Sequence, residues 1–303
     1  MTTHNHPIYI FGEVLFDHFP DGSRVLGGAP FNVAWHLQAL GQAPCFISRI
    51  GGDPEGNEIS GFMTAWGMNR RTLQTDPAHP TGSVRITIEH GEPRFDVVDQ
   101  CAYDFIGQEP LALPTTEGVL YHGSLAARNP VSRATLNRLK AAHRGKIFVD
   151  VNLRPPWWQP EFLLTLLNGA HWIKLNEAEL DMLCPGHRDL ETAMRDFFAR
   201  FDPEILIVTR GGQGAVACDR LHRLTSVRPA GGITVVDTVG AGDAFAAVLL
   251  LGLVEQWPLR TALERAQAFA GALVGRRGAT VEDPTFYRPF IEQWNLSKNV
   301  SDY

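Results

Sequence analysis

The chain has 303 residues, enough for one large domain or two small ones, and 44% of them are hydrophobic, enough for a sizeable core. Lys and Arg number 27 against 33 Asp and Glu, a net charge of -6, which argues against a nucleic-acid or acidic-membrane partner. Residues 1–7 carry no apolar signal core, and the longest apolar run, 244–254, is broken by Gly252 and too short to span a bilayer, so the expectation is a soluble cytoplasmic protein.

Residues 8–17 open as an apolar strand that ends in polar residues. Asp17 falls just past the apolar part, where an α/β sheet presents ligand groups. Gly27 and Gly28 then turn the chain. Pro30 suits the first turn of a helix, Phe31, Ala34, Trp35, Leu37 and Leu40 recur at helical spacing, and Gly41 stops it. Asn32, in that first turn, reads either as a partner for a bound hydroxyl or as a tolerated early-helix residue. A strand over 45–50 and a helix over 55–66 follow. Residues 81–98 differ in character. Val84, Ile86 and Ile88 alternate with Arg85, Thr87 and Glu89, a turn at 90–93 follows, and Phe95 and Val97 continue beyond it. The pattern is a hairpin with one wet face. It reads either as an edge hairpin or as a small β lid joined by part of the segment after Asp17.

From Val119 strands and helices alternate. Strands are expected over 119–122, 146–150, 171–175 and 204–209, and helices over 131–142, 176–183 and 190–200. Prolines 155, 156 and 160 rule out helix after the second of these strands, where Trp157 and Trp158 make an aromatic corner. Such alternation predicts a parallel sheet between layers of helix. A short β-branched strand at 233–236, a buried helix at 244–251, and helices at 259–277 and 284–294 complete the chain. There is no internal repeat or linker. The cysteines, Cys45, Cys101, Cys184 and Cys218, form no CxxC pair and read as free thiols in a reducing compartment.

Three stretches at strand ends carry chemistry. In Asp237-Thr238-Val239-Gly240-Ala241-Gly242-Asp243, two glycines stand where a helix begins and backbone N–H groups have no intrahelical partner. Such an end attracts phosphate, and small residues let the backbone approach it. A carboxylate there repels phosphate, so Asp243 makes better sense as a base taking a proton from an attacking hydroxyl. The plainer alternative is an acid that favours the positive end of the helix. The loop Thr209-Arg210-Gly211-Gly212-Gln213-Gly214 is loose enough to lie against a nucleotide. Asn176 and Glu179, three apart, share a helix face and can hold the water shell of a magnesium ion; Glu179 also reads simply as an N-terminal helix acid. No GxxxxGKS is present, which excludes a P-loop NTPase. No GxGxxG follows the first strand, which weakens a dinucleotide-dependent oxidoreductase.

These stretches, in this order, resemble the ribokinase-like family of sugar kinases, the PfkB family. The first signature is Gly27-Gly28-Ala29-Pro30-Phe31-Asn32-Val33-Ala34 and the last is Asp237 to Asp243, with Asn176/Glu179 and Thr209/Gly211/Gly214 between them; the match covers 8–294. The resemblance implies a three-layer α/β/α sandwich with a mainly parallel central sheet. It implies a single kinase domain, 1–295, with a small β-sheet lid formed by about 13–27 and 81–105, and a tail, 296–303. It also implies roles. Asp243 matches the catalytic base, and Gly240, Ala241 and Gly242 match the anion hole. Asp17, Gly28 and Asn32 match positions that bind sugar hydroxyls. Arg154, in the pattern Asp150-Asn152-Arg154, is a further substrate contact. Asn176 and Glu179 match the motif that organises magnesium and phosphate, and Thr209, Gly211 and Gly214 match the nucleotide loop. Gln267 falls, by spacing from Gly278, where many relatives carry Asn near the adenine. Asp237 falls where some relatives bind a monovalent cation, here potassium.

Within that family the stretches 12–17, 28–32 and 150–158 look most like fructokinases. Ribokinases tend to have a Lys near Ala29-Pro30. 2-Keto-3-deoxygluconate kinases carry a Tyr-Tyr-Arg run in the lid, where this chain has Phe95-Asp96-Val97-Val98-Asp99. The implied reaction is therefore ATP-dependent phosphorylation of a neutral ketohexose, with 2-keto-3-deoxygluconate or a nucleoside as alternative acceptors. Sugar, ATP and magnesium are the expected partners, and pairing of lids between subunits implies a homodimer. A catalytically silent sugar or nucleotide sensor is the reading from another class, and the joint presence of Asp243, Asn176 and Glu179 argues against it.

Overall fold

Strand β1, Ile8–Phe11, is four apolar residues in a row, all buried, as a parallel strand covered on both faces requires. The computed structural model describes residues 7–296 except 90–91, 109–110, 112, 114 and 233. The start before Pro7, the centre of the turn expected at 90–93 and the tail from 297 lie outside these residues. The chain continues with β2 (Leu15–His18), β3 (Arg24–Gly27), α1 (Ala29–Ala39), β4 (Cys45–Gly51), α2 (Pro54–Ala65), β5 (Leu73–Asp76), β6 (Gly82–Glu89) and β7 (Glu92–Val97). After a 3-10 turn at Ala102–Phe105 come β8 (Val119–His122), a second 3-10 turn at Ala126–Arg128, α3 (Pro130–Ala142), β9 (Lys146–Asp150), α4 (Pro160–Leu167), β10 (Trp172–Asn176) and α5 (Glu177–Leu183). The rest is α6 (Leu190–Phe201), β11 (Ile205–Thr209), β12 (Ala215–Asp219), β13 (Leu224–Val227), α7 (Ala241–Val254), α8 (Leu259–Leu273) and α9 (Arg288–Trp294).

Nine strands form the main sheet in the order β13-β12-β11-β10-β9-β8-β1-β4-β5. All pairs are parallel except β11–β12 and β12–β13 at one edge. Side chains alternate across a strand, and the two faces feed two cores. Ile8, Ile10 and Phe46 pack with α1, α2, α7, α8 and α9, whereas Tyr9, Phe11 and Ile47 pack with α3, α4, α5 and α6. The molecule is thus a three-layer α/β/α sandwich. A separate four-stranded sheet runs β3-β2-β6-β7. Its base, Leu15, Val84, Ile86 and Val97, joins the second core. The hairpin at 81–98 and the segment around Asp17 therefore share one small sheet.

Four local expectations change. Residues 8–17 are not one strand: the run breaks at Gly12, where a Cβ would lie 2.2 Å from Cγ of Pro30, and Asp17 belongs to the second sheet. The β-branched run at 233–236 is not a strand over its described residues; Val235 and Val236 are exposed and the amide of Val236 donates to Val274 O at 2.8 Å. Pro160 does not exclude helix but starts α4, in the first turn, where its missing N–H costs nothing. Helix α8 ends at Leu273, short of the expected 277.

Candidate active site

Parallel strands end on a common edge, so residues far apart in sequence meet there. Asn176 of β10 is the register partner of Thr209 of β11, and Lys174 is that of Asp150 on β9. Two of the three motif stretches are therefore neighbours by sheet register alone. The third reaches the same edge through α7, which is buried from Ala244 to Gly252 and packs against α1 and α8.

The loop before α7 is built for close approach. Gly240 caps the helix with φ +76°, and a Cβ there would sit 2.4 Å from Cα of Ala279, so glycine is required by backbone and by space. Asp237 braces the loop: its carboxylate accepts from the amide of Val239 at 3.0 Å and of Gly278 at 2.9 Å. Gly242 is exposed.

Asp243 stands in the first turn of α7, partly exposed. The amide Nδ2 of Asn32 donates to its Oδ2 at 2.8 Å across 211 residues of sequence. That contact depends on the turn at Gly28, where φ is +108° and a Cβ would lie 2.7 Å from the carbonyl of Glu13. Burial raises the Asp243 carboxyl to about 6; the Asn32 bond opposes this, nearby Asp150 adds to it, and Lys174 and Arg154 pull it down. A carboxylate so tuned is ionised at neutral pH yet a better base than a solvated one.

Around it lie Glu13, Lys174 and Tyr121, which the sequence did not single out, and Asp150, Asp17 and Arg154, which it did. Glu13 is buried, its carboxyl raised to about 7 chiefly by burial, and its Oε2 has no hydrogen-bond partner among the described residues. Lys174 is buried and donates to both oxygens of Asp150 at 2.8 Å, and Tyr121 donates its hydroxyl to Asp150 Oδ2 at 3.3 Å. For Glu13 and Lys174 the only sequence sign was a charge inside an apolar run. Asp17, half-buried on β2, is raised to about 6 by burial, with Arg154 and His18 pulling the other way. Arg154 is itself exposed, and its charge acts on Asp17, Glu13 and Asp243 together.

Asn176 and Glu179 form a reciprocal cap on α5. Asn176 Oδ1 accepts from the Glu179 amide at 2.9 Å, and Glu179 Oε2 accepts from the Asn176 amide at 2.8 Å. The other oxygen of Glu179 accepts from the Leu153 amide at 2.7 Å, which fixes the backbone leading to Arg154. Burial raises the Glu179 carboxyl, and Asp150 adds to the effect. Thr209, Gly211 and Asn176 line a cleft of about 590 Å³ between α5, α6 and the loop after β11. Gly214 closes that loop at φ +91°, with a Cβ position 2.0 Å from Val227 O. Gln267 lies half-buried on α8, which packs against α7 and β13.

Among the described residues no group of three or more His, Cys, Asp or Glu side chains is placed to hold a metal ion. Glu179 uses two of its roughly four lone-pair sites on backbone amides, which leaves capacity for metal-bound water. The donor set therefore fits a magnesium ion carried by nucleotide phosphates.

A family model described as pfkB family carbohydrate kinase matches residues 5–285. A fructokinase from Klebsiella pneumoniae is 35% identical over 264 residues, covering 82% of this chain and 85% of the relative. One from Escherichia coli is 29% identical over 305 residues, covering 91% and 96%. The crystal structure of fructokinase from Vibrio cholerae O395 with fructose, ADP and calcium ion bound superposes with TM-score 0.81 at 25% identity, covering 93% of this chain and 98% of that one. A base candidate beside a glycine anion loop, on this fold and with these relatives, leads to one conclusion: the chain belongs to the pfkB family of carbohydrate kinases, enzymes of the ribokinase-like fold.

Proposed function

We propose that the protein is an ATP-dependent fructokinase. The observation that carries the reading is Asp243, raised to about 6 and oriented by Asn32, in the first turn that follows the Gly240-Ala241-Gly242 loop. Asp243 takes the proton of a sugar hydroxyl as its oxygen attacks the γ-phosphorus. The new P–O bond forms as the bond to the β-phosphate oxygen breaks, and ADP leaves. The amides of the loop meet the charge on the phosphoryl oxygens. Thr209, Gly211 and Gly214 position the nucleotide, with Gln267 toward the base. Magnesium, when bound, neutralises phosphate charge, and Asn176 and Glu179 would order its water shell. Asp237 braces the loop beside which a potassium ion would sit.

The electrostatics favour a neutral acceptor. A sugar acid entering here meets Asp17, Glu13 and Asp243, while Arg154 is already shared among all three. Asp17, Gly28, Asn32 and Arg154 are the hydroxyl contacts. The second sheet, which carries Asp17, acts as a lid that excludes water from the phosphoryl group. Its apolar face pairs with that of a second copy to form a homodimer. The cytoplasm, which supplies ATP, is the compartment, in keeping with four free cysteines.

A coupled ADP-release assay with fructose, ribose, 2-keto-3-deoxygluconate and a nucleoside tests the reading. Fructose should give the highest kcat/KM, and Asp243→Asn should lower kcat by about 10²-fold or more while ATP still binds. Near-normal turnover of that variant would remove Asp243 from its role, and a higher kcat/KM for the sugar acid would replace fructose.

A further inference from the structure

Buried lysines are rare, and one on an interior strand beside a ligand loop calls for a reason. Lys174 sits on β10 with its ammonium 2.8 Å from each oxygen of Asp150. Its Nζ also lies 3.7 Å from the position a Cβ would take on Gly242. Asp150 makes no such approach to Gly242, but its charge acts on Asp243, and Tyr121 holds its Oδ2. The ion pair is therefore oriented. Its cationic end lies against the glycine loop, and its anionic end is held by the Tyr121 hydroxyl.

We propose that the Asp150–Lys174 pair is a positioning device for phosphoryl transfer: Lys174 adds positive potential to the Gly240–Gly242 loop, and Asp150 holds Lys174 there. This rests on the kinase reading above. An ammonium with two N–H groups spent on a carboxylate has one left. Placed against the loop, it strengthens the site where negative charge gathers in the transition state, so its effect falls on kcat more than on KM. The competing explanation is structural, a clamp between β9 and β10. Replacing a buried ion pair with apolar residues of similar volume is often neutral or stabilising, whereas removing one partner is costly. That asymmetry separates the two explanations.

The test compares Lys174→Met with the double variant Asp150→Leu/Lys174→Met, by thermal denaturation and by steady-state kinetics with the sugar that the wild type phosphorylates. Lys174→Met strands a buried carboxylate and should lose both stability and turnover. The double variant should regain the wild-type melting temperature yet keep kcat lowered by about 10²-fold, with KM for ATP little changed. Lys174→Arg, which keeps the charge, should recover part of kcat. Recovery of both stability and kcat in the double variant would show a structural clamp and overturn the proposal. Should the double variant fail to fold, wild-type kcat in Lys174→Gln overturns it equally. Wild-type turnover is the control: with none on any sugar the kinase reading fails, whereas normal wild-type turnover beside an active double variant sinks this inference alone.

Discussion

Glu13 and Asp243 show what loss of solvent does to a carboxyl. Each is raised above its ordinary value mainly by desolvation, Glu13 to about 7 and Asp243 to about 6. The kinetic consequence is direct: as the proposed base, Asp243 acts only when ionised, so kcat/KM should fall as pH drops through about 6. For stability the sign is the reverse of a salt-bridged acid. Below pH 4.5, the unperturbed value, Glu13 is protonated in folded and unfolded chains alike, and nothing is lost. Between there and about 7 the unfolded chain releases the proton that the folded one keeps, so stability falls as pH rises, by an amount on the order of 3 kcal/mol. Glu13→Gln should therefore flatten the decline in melting temperature between pH 5 and 8. Denaturation curves that decline equally in both proteins would remove Glu13 as the cause. Neither Glu13 nor Lys174 was legible beforehand. Burial decides a titration, and no local sequence pattern reports which side chain the fold will bury.

At the scale of elements, helix starts were the readable features. The glycine loop before α7 and the Asn176/Glu179 start of α5 both carry signals set by local backbone needs: orphan amides, a positive φ, a side-chain acceptor three residues away. The α5 cap gives a quantitative expectation. Asn176→Ala removes the acceptor of the Glu179 amide and should cost about 1 kcal/mol in urea denaturation. Glu179→Ala also frees the Leu153 amide, and should cost more and raise KM for the nucleotide as the 150–154 backbone loosens. Equal losses for the two variants would mean that the Leu153 bond contributes little. Strands were less readable than helix starts. The run at 233–236 has strand composition but no strand over its described residues, because a strand is completed only by a neighbour.

On the scale of the whole molecule the second sheet is the feature that packing leaves unfinished. Asp17 pairs with Val25 and Val84, and Val84 with Val97, so these residues and Ile86, Ile88 and Phe95 share one face. Val84, Ile86 and Val97 are buried against the body, but Val25, Ile88 and Phe95 are 42%, 57% and 58% exposed. A row of uncovered apolar side chains next to Asp17, the proposed sugar contact, is what a partner lid would cover. On the body side, Arg24 of β3 reaches Glu55 and Glu58 of α2, which ties the sheet's other edge down. Light scattering should find a dimer, and Ile88→Asp/Phe95→Asp should make it monomeric and raise KM for the sugar. A wild-type monomer, or a dimer untouched by the two charges, would end the lid-pairing reading.

The residue pattern alone determined the layered α/β class, the chain order of the motifs and the helix start at Asp243, since periodicity and capping are local and survive without knowledge of the rest of the chain. Tertiary structure alone decided that Asn32 reaches Asp243 across 211 residues, that residues 8–17 divide between two sheets, and that Lys174 lies under Gly242. Those outcomes depend on strand register and helix packing, which bring together groups whose separation along the chain carries no trace of their contact.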